Sequence, residues 1–548
     1  MRKFASWLLL ALAAAAPAQL AQGIEAKLDE VFKPWDKKDA PGGVVSVSVR
    51  GRLVYEKAFG MANLELNVPN TVETVFDVGS VSKQFTAACV MLLQDDGKLD
   101  IDDEASKYLT EFPVLRDQKI TVRQLMAHTS GLRDYMSLMA FKTGTFAFED
   151  DAVVDVLKGQ RTLNFPPGMA WDYSNTGFYL LKKLVEKVSG KSLAEFAKER
   201  LFTPLGMGHT QFLDDHTLLI PGRAFGYMNG GDDKGYRAGI TMIAADGAGG
   251  LWTTLADMHK WTQNWKKNKL GKDPQMFAKM QTKERLLLGT DTTYGLGFFI
   301  DDYKGVARIQ HGGDFVGFHA QVNWFPEQDV VVTTFSNDGT QNAKAFNDKT
   351  VDVVLADVIK PGPGDNKTEV ALSEQVLDEY VGRYDISTAV IEFKRDGSKL
   401  MAQVTGQPEF EVFATKKDHF FWKVVEARVE FSRDEGGNVT GLTLFQGGAE
   451  IVCPRSMAFE APPEMLDALV GYYYSTELDV MVHIKRDGDK LTATSSTILD
   501  AFPMTAVNAK RLTAGPLSIE IEWDDKVVKS ISVNMPRATK MKFVRMSS

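Results

Sequence analysis

The chain has 548 residues. One hydrophobic core stops growing at about 250–300 residues, so two or three domains are expected. Hydrophobic residues make up 44% and charged residues 25%, which excludes a disordered or fibrous chain, and a net charge of −9 leaves no basic footprint for nucleic acid.

Residues 1–21 read as a signal peptide. Arg2 and Lys3 precede an apolar run from Phe4 to Ala16, and Ala16-Pro17-Ala18, or a site at Ala21, offers small residues for cleavage. The run is shorter than the roughly 20 residues that span a bilayer, and no Cys follows it to carry a lipid. No later stretch is long and apolar enough to span a membrane. A periplasmic or secreted location is expected. Loss of the leader removes two positive charges and no negative one, so the mature chain is more acidic still. Export permits disulfides, but Cys89 lies in an apolar helical run and Cys453 far along the chain. Both are expected as buried free thiols.

Val44 to Val49 and Leu53 to Phe59 are β-rich runs punctuated by Arg50 and Gly51, a hairpin pattern. Ser80 to Gln94 is helix-like and closed by Gly97. From Ile101 to Trp265 helical patterns alternate with long loops, with helices expected at Gly177 to Ser189 and Leu193 to Leu201. Strands return at Gly305 to Gln310, Gly317 to Trp324 and Val330 to Phe335, and Ala343 to Ile359 reads as a closing amphipathic helix. β-runs at both ends of a helical middle predict an α+β fold, with one antiparallel sheet assembled from distant parts of the chain and covered by helices.

Pro361-Gly362-Pro363-Gly364-Asp365-Asn366 is a breaker cluster, and 359–370 is taken as a linker. The chain beyond the linker repeats itself. Leu377-Asp378-Glu379-Tyr380-Val381-Gly382-Arg383-Tyr384 matches the stretch from Leu466 to Tyr473, and Lys394-Arg395-Asp396-Gly397 matches Lys485-Arg486-Asp487-Gly488. The two Asp-Gly pairs come after β-runs and signal hairpins. Strands at short, regular spacing in a repeated unit suit two small closed antiparallel, lipocalin-like barrels, at 371–457 and 463–548.

Three segments can carry chemistry. In Gly79-Ser80-Val81-Ser82-Lys83, a separation of three places Ser80 and Lys83 side by side on one helix face. Ser80 opens the helix, where its N–H meets the positive end of the dipole. A serine needs a base to become a nucleophile. Lys83 can serve only if burial lowers its pKa by about 3 units. The second segment is Tyr173-Ser174-Asn175, with a Tyr able to relay a proton and an Asn able to hold an amide. Tyr227-Met228-Asn229 repeats that spacing but has no helix behind it, so Tyr173 is preferred. The third is His311-Gly312-Gly313-Asp314. Its glycines let a strand edge approach a ligand, and the Asp314 N–H is placed to complete an oxyanion hole.

In this order the three segments resemble the penicillin-recognising serine hydrolases: β-lactamases, DD-peptidases, D-aminopeptidases and related esterases. Leu125 to Leu132, Pro204 to Met207 and Gly247 to Leu251 add to the likeness. The resemblance implies a catalytic domain at 24–358 with a five-stranded antiparallel sheet and a helical subdomain. It also implies an acyl-enzyme on Ser80, protons moved by Lys83 and Tyr173, and an amide held by Asn175. The oxyanion would lie between the N–H groups of Ser80 and Asp314.

The third segment departs from the family pattern, since His311 stands where a Lys is common. That removes a fixed positive charge for a substrate carboxylate and weakens a β-lactamase or carboxypeptidase reading. The His-Gly-Gly segment, Gly131-Leu132-Arg133-Asp134-Tyr135, the two barrels and Tyr474 to Asp479 look most like D-aminopeptidase. There a loop of the last barrel narrows the site, and by position Ser495 to Pro503 is expected to do so here. His128 and Thr129 look structural by the same comparison. The eight His residues show no metal-binding spacing, so no cofactor is expected. The expected partner is a small molecule or short peptide, with D-amino-acid peptides ahead of simple esters or a weak β-lactamase activity. A non-catalytic ligand-binding protein is the contrasting alternative.

Overall fold

The computed structural model describes residues 23–547 apart from 146, 232–234, 241, 244–245, 361–367, 387–388, 406, 426, 447–448, 458 and 499. The leader at 1–21 and the Pro-Gly cluster therefore lie outside the described residues.

The N-terminal hairpin, β1 (Gly43–Val49) and β2 (Arg52–Phe59), forms as its pattern predicts, turning at Arg50 and Gly51, both with positive φ. Near the end of the catalytic region come β3 (Phe299–Tyr303), β4 (Val306–Phe315), β5 (Phe318–Phe325) and β6 (Val330–Ser336). The sheet order is β3-β4-β5-β6-β1-β2, with every neighbour antiparallel. The hairpin thus joins strands nearly 300 residues away, with Gly43 opposite Ser336 and Val49 opposite Val330. Alternate β1 side chains serve two cores. Val45 and Val47 pack under helices α1 (Ile24–Phe32) and α4 (Ala343–Val354), whereas Val44 joins the core of the helical layer.

The sheet has six strands where five were implied. The extra one is β3, an edge strand whose Phe-Ile-Asp-Asp-Tyr sequence lacks clean alternation and pairs only with the first half of β4, from Val306 to Gln310.

On the other face, α2 (Lys83–Asp95) packs against α3 (Asn175–Ser189). Every α2 residue from Lys83 to Leu93 is buried, which explains its nearly unbroken apolar run. Leu193 to Leu201 divides into an α-helix, Leu193–Ala197, capped by Ser192 and Glu195, and a wider turn at Lys198–Phe202. α4 stops at Val354, before the end of its apolar pattern at Ile359.

Two closed eight-stranded antiparallel barrels complete the chain, with strands in sequence order from Gly382–Asp385 to Ala449–Ser456 and from Gly471–Ser475 to Ala538–Arg545. The sequence repeat has a structural counterpart. Tyr384 donates its hydroxyl to Tyr380 O, and Tyr473 donates to Leu469 O at the matching place in the second unit. Gly397 and Gly488 turn the matching hairpins, each at φ 58°. Cys89 and Cys453 are buried free thiols. Among the described residues no helix is long and apolar enough to cross a membrane.

The barrels attach differently. The first has its own core, while that of the second is continuous with the helical layer. Arg133, almost fully buried, donates to Thr539 O, Lys540 O, Gln160 and Glu477. Two stretches singled out in the sequence, around Arg133 and around Glu477, therefore meet as a docking joint.

Candidate active site

A cleft of about 900 Å³ opens between the sheet edge and the helical layer, lined by Ser80, Tyr173, Asn175, and His311 to Asp314, among others. Ser80 sits in the 3-10 turn Gly79–Ser82 that leads into α2 and is partly exposed. Gly79 takes φ 50°, which an L side chain resists, and this sharp turn aims Ser80 outward. Ser82 braces the turn by donating to Gly79 O and accepting from Leu251 N.

Lys83 is completely buried. Its Nζ lies 3.0 Å from Ser80 Oγ, 2.9 Å from Asn175 Oδ1 and 2.6 Å from Ala248 O. The Asn175 orientation is fixed, because its Nδ2 donates to Asp134 Oδ2 at 2.9 Å and leaves Oδ1 facing Lys83. Burial holds the amine well below its ordinary pKa, with Asp134 opposing the shift and Arg537 adding to it. A neutral amine has two N–H groups and one lone pair. Asn175 Oδ1 and Ala248 O can only accept, so they take both hydrogens. The lone pair is left facing the Ser80 hydroxyl.

Tyr173 stands against this pair, its ring 4.9 Å from Lys83 Nζ. Its hydroxyl is buried and finds no hydrogen-bond partner among the described residues. Burial pushes the phenol well above its usual value. The Ser80 hydroxyl, close but outside hydrogen-bonding geometry, offsets part of that. His128 holds the Tyr173 loop, accepting from Ser174 N at 3.2 Å with its ring 4.3 Å from that of Tyr173. The look-alike Tyr227 accepts from Leu64 N instead, outside the cleft lining.

The opposite wall is the end of β4. Val316 and Gly317, at φ 33° and 87°, make a two-residue hairpin turn closed by Phe315 and Phe318. Counting back through the alternating ladder, the N–H groups of Asp314 and Gly312 point away from β5. β3 does not pair beyond Gln310, so that edge is open. The strand abuts the nucleophile turn backbone to backbone: a Cβ on Gly79 would lie 2.9 Å from Asp314 N, and one on Gly313 2.8 Å from Ser80 N. The Asp314 and Ser80 N–H groups are thereby brought to one seam where the strand meets the nucleophile turn, an arrangement suited to a developing oxyanion.

His311 is buried, with Nδ1 2.6 Å from Gly312 O and Nε2 2.9 Å from Tyr294 Oη. A carbonyl only accepts, so Nδ1 carries the proton and Nε2 accepts from Tyr294. Burial pushes the imidazole down to about 3. His311 thus offers the cleft no charge.

Two residues went unassigned from the sequence. Asp134, fully buried, accepts from Asn175 N and Nδ2 and from Met136 N, so it sets both the start of α3 and the direction of the Asn175 amide. Arg537 lines the cleft from the last hairpin of the second barrel. The loop expected to do this, Ser495 to Pro503, contributes none of its described residues to the lining; Ile498 faces Gly144 instead. The segment that carries backbone hydrogen bonds to the catalytic region, and so reaches the cleft, is the Pro536-Arg537 turn.

Asp77 lies buried beneath the turn and accepts from Gly79 N at 2.8 Å. Burial raises its carboxyl to about 7, the Gly79 N–H opposing. The folded state then holds this proton more tightly than the unfolded chain, so wild type loses stability as pH climbs from about 4 to 7. Asp77→Asn keeps the acceptor and cannot ionise. Its melting temperature is expected to gain on wild type between pH 5 and pH 8. An equal difference at both pH values would show that the carboxyl does not titrate there.

The beta-lactamase family model matches residues 22–357, and a domain of unknown function, DUF3471, matches 366–452 in the first barrel. The chain is 30% identical over 479 residues to the D-aminopeptidase of Brucella anthropi, covering 86% of each. It is 26% identical over 451 residues to penicillin-binding protein 4* of Bacillus subtilis (strain 168), covering 77% of this chain and 97% of that one. Two solved structures share the fold. The octameric penicillin-binding protein homologue from Pyrococcus abyssi superposes with a TM-score of 0.54 at 23% identity, over 78% of this chain and 99% of that one. The D-amino acid amidase from Ochrobactrum anthropi SV3, complexed with L-phenylalanine amide, gives 0.52 at 22%, over 61% and 98%.

Proposed function

The chain belongs to the beta-lactamase family, and from that premise we propose that it is an exported serine hydrolase that cleaves small amides, D-amino-acid peptides above all, through an acyl-enzyme on Ser80. The observation that carries the chemistry is the sealed Lys83 amine, 3.0 Å from Ser80 Oγ with its other two hydrogen bonds committed to acceptors. Lys83 takes the hydroxyl proton as Ser80 Oγ attacks the carbonyl carbon. The oxyanion forms between the N–H groups of Ser80 and Asp314, and Asn175 holds the substrate amide. When the intermediate collapses, Tyr173 relays a proton to the leaving nitrogen. Water then attacks the ester by the reverse relay. The preference for D-residues rests on the relatives named D-aminopeptidase, and export rests on the leader-like residues 1–21.

Labelling and turnover test this together. A fluorescent phosphonate is expected to label wild type and not Ser80→Ala. Wild type is expected to prefer N-acetyl-D-alanyl over N-acetyl-L-alanyl anilides. Equal labelling of the two proteins would return the chain to the class of ligand-binding proteins. Rapid ester turnover with no D-preference would make it a general esterase.

A further inference from the structure

A cation from the second barrel, Arg537, lines the cleft in which His311 carries no charge. The last hairpin of the second barrel, Val527–Met535 and Ala538–Arg545, closes through Pro536 and Arg537. Arg537 takes φ 64°, a position that usually goes to Gly or Asn. The turn is held in this strained form from outside. Arg537 O accepts from Asp134 N at 2.8 Å and from Asn164 Nδ2 at 3.0 Å, Pro536 O accepts from Ser137 Oγ at 2.9 Å, and Thr539 N donates to Asn164 Oδ1 at 2.8 Å. The barrel thereby delivers one guanidinium to a fixed place beside Tyr173, 6.0 Å from its ring centre.

That guanidinium makes no hydrogen bond among the described residues. Its nearest carboxylate oxygen, Asp134 Oδ2, is 3.9 Å away and already accepts twice from Asn175. The Arg537 side chain is 42% exposed, so its donors remain available to a ligand. Of the carboxylates that line the cleft, Asp77 is buried against Gly79 and Asp246 is buried with Lys182, while Asp314, 78% exposed, pairs through one oxygen with His319. Beside Tyr173 a substrate ammonium would face the like charge of Arg537. A carboxylate would find a planar donor fork suited to it.

Resting on the hydrolase reading above, we propose that Arg537 of the second barrel is the anchor for a substrate carboxylate, so that the enzyme acts on short peptides or acylated amino acids carrying a free carboxylate. The barrel is then part of the binding site, and the substrate is selected by its acid end.

The test compares an acetylated D-alanyl dipeptide with its C-terminal amide, using p-nitrophenyl acetate as an uncharged control. Wild type is expected to favour the free acid by at least about tenfold in kcat/KM, chiefly through KM. Arg537→Gln is expected to erase that preference, losing far more kcat/KM on the free acid than on the amide or the acetate, while Arg537→Lys retains part of it. No preference in wild type, no turnover of either dipeptide, or an equal loss on all three substrates in Arg537→Gln would overturn the proposal, the last by making Arg537 only a docking residue. Loss of acetate turnover and phosphonate labelling in wild type itself would overturn the hydrolase reading instead.

Discussion

Ser80→Ala, Lys83→Arg and the double variant are expected to lose kcat/KM equally, by at least ~10³-fold, because the two side chains act as one unit. Arg keeps a positive charge but has no accessible neutral form, so it cannot take the Ser80 proton. It would also carry a charge into a site where Lys83 is completely buried. Lys83→Met, close in shape and uncharged, should fold more readily and be just as inactive. That separates loss of the base from loss of the structure. Losses that multiplied in the double variant would show that the two residues act independently. The pH profile gives a second reading. Burial holds the amine well below its ordinary value, so wild-type kcat/KM should level off below the pH range in which an exposed lysine loses its proton. A rate still climbing at pH 10 would mean that the amine is charged at rest.

Gly313→Ala is expected to cost ~10²–10³-fold in kcat with a smaller change in KM. The new Cβ would overlap Val78 O and sit 2.8 Å from Ser80 N, both backbone atoms that cannot swing aside. Relief requires β4 to move off the nucleophile turn, carrying the Asp314 N–H away from the oxyanion position. The same overlap costs stability by about 1–3 kcal/mol, so a thermal melt must accompany the kinetics. Gly312→Ala is the control. Its Cβ would meet chiefly the Gln321 Oε1, at 2.8 Å, a side-chain atom, so relief disturbs the hydrogen bonds from Gln321 to Gln310 and Asn323 and leaves the strand backbone in place. A much smaller kinetic loss is expected there. Equal losses at the two glycines would mean that closeness of backbone to backbone is not what the motif secures.

How much of this was legible in the chain depends on how local each feature is. Ser80 and Lys83 are three residues apart, and a helical turn by itself makes them neighbours. The barrels were legible because a duplicated unit repeats its hairpin glycines and its strand alternation, and the N-terminal hairpin because its turn lies between its strands. Asp134 stood within a stretch already marked by likeness, but nothing local shows that its carboxylate meets Asn175, 41 residues on. β3 carried no alternation to mark it and became a strand only because β4 offered a free edge.

By itself, then, the sequence determined the nucleophile pair, the N-terminal hairpin and the two barrels, since each depends on spacing within a single helix, hairpin or repeat. The tertiary structure decided what surrounds the nucleophile. It sealed Lys83 from water, turned His311 inward to Tyr294 and brought Arg537 to the cleft through bonds spanning about 400 residues. Burial and charge placement at the site are sums over segments distant in the chain, and no local pattern encodes which of them will meet.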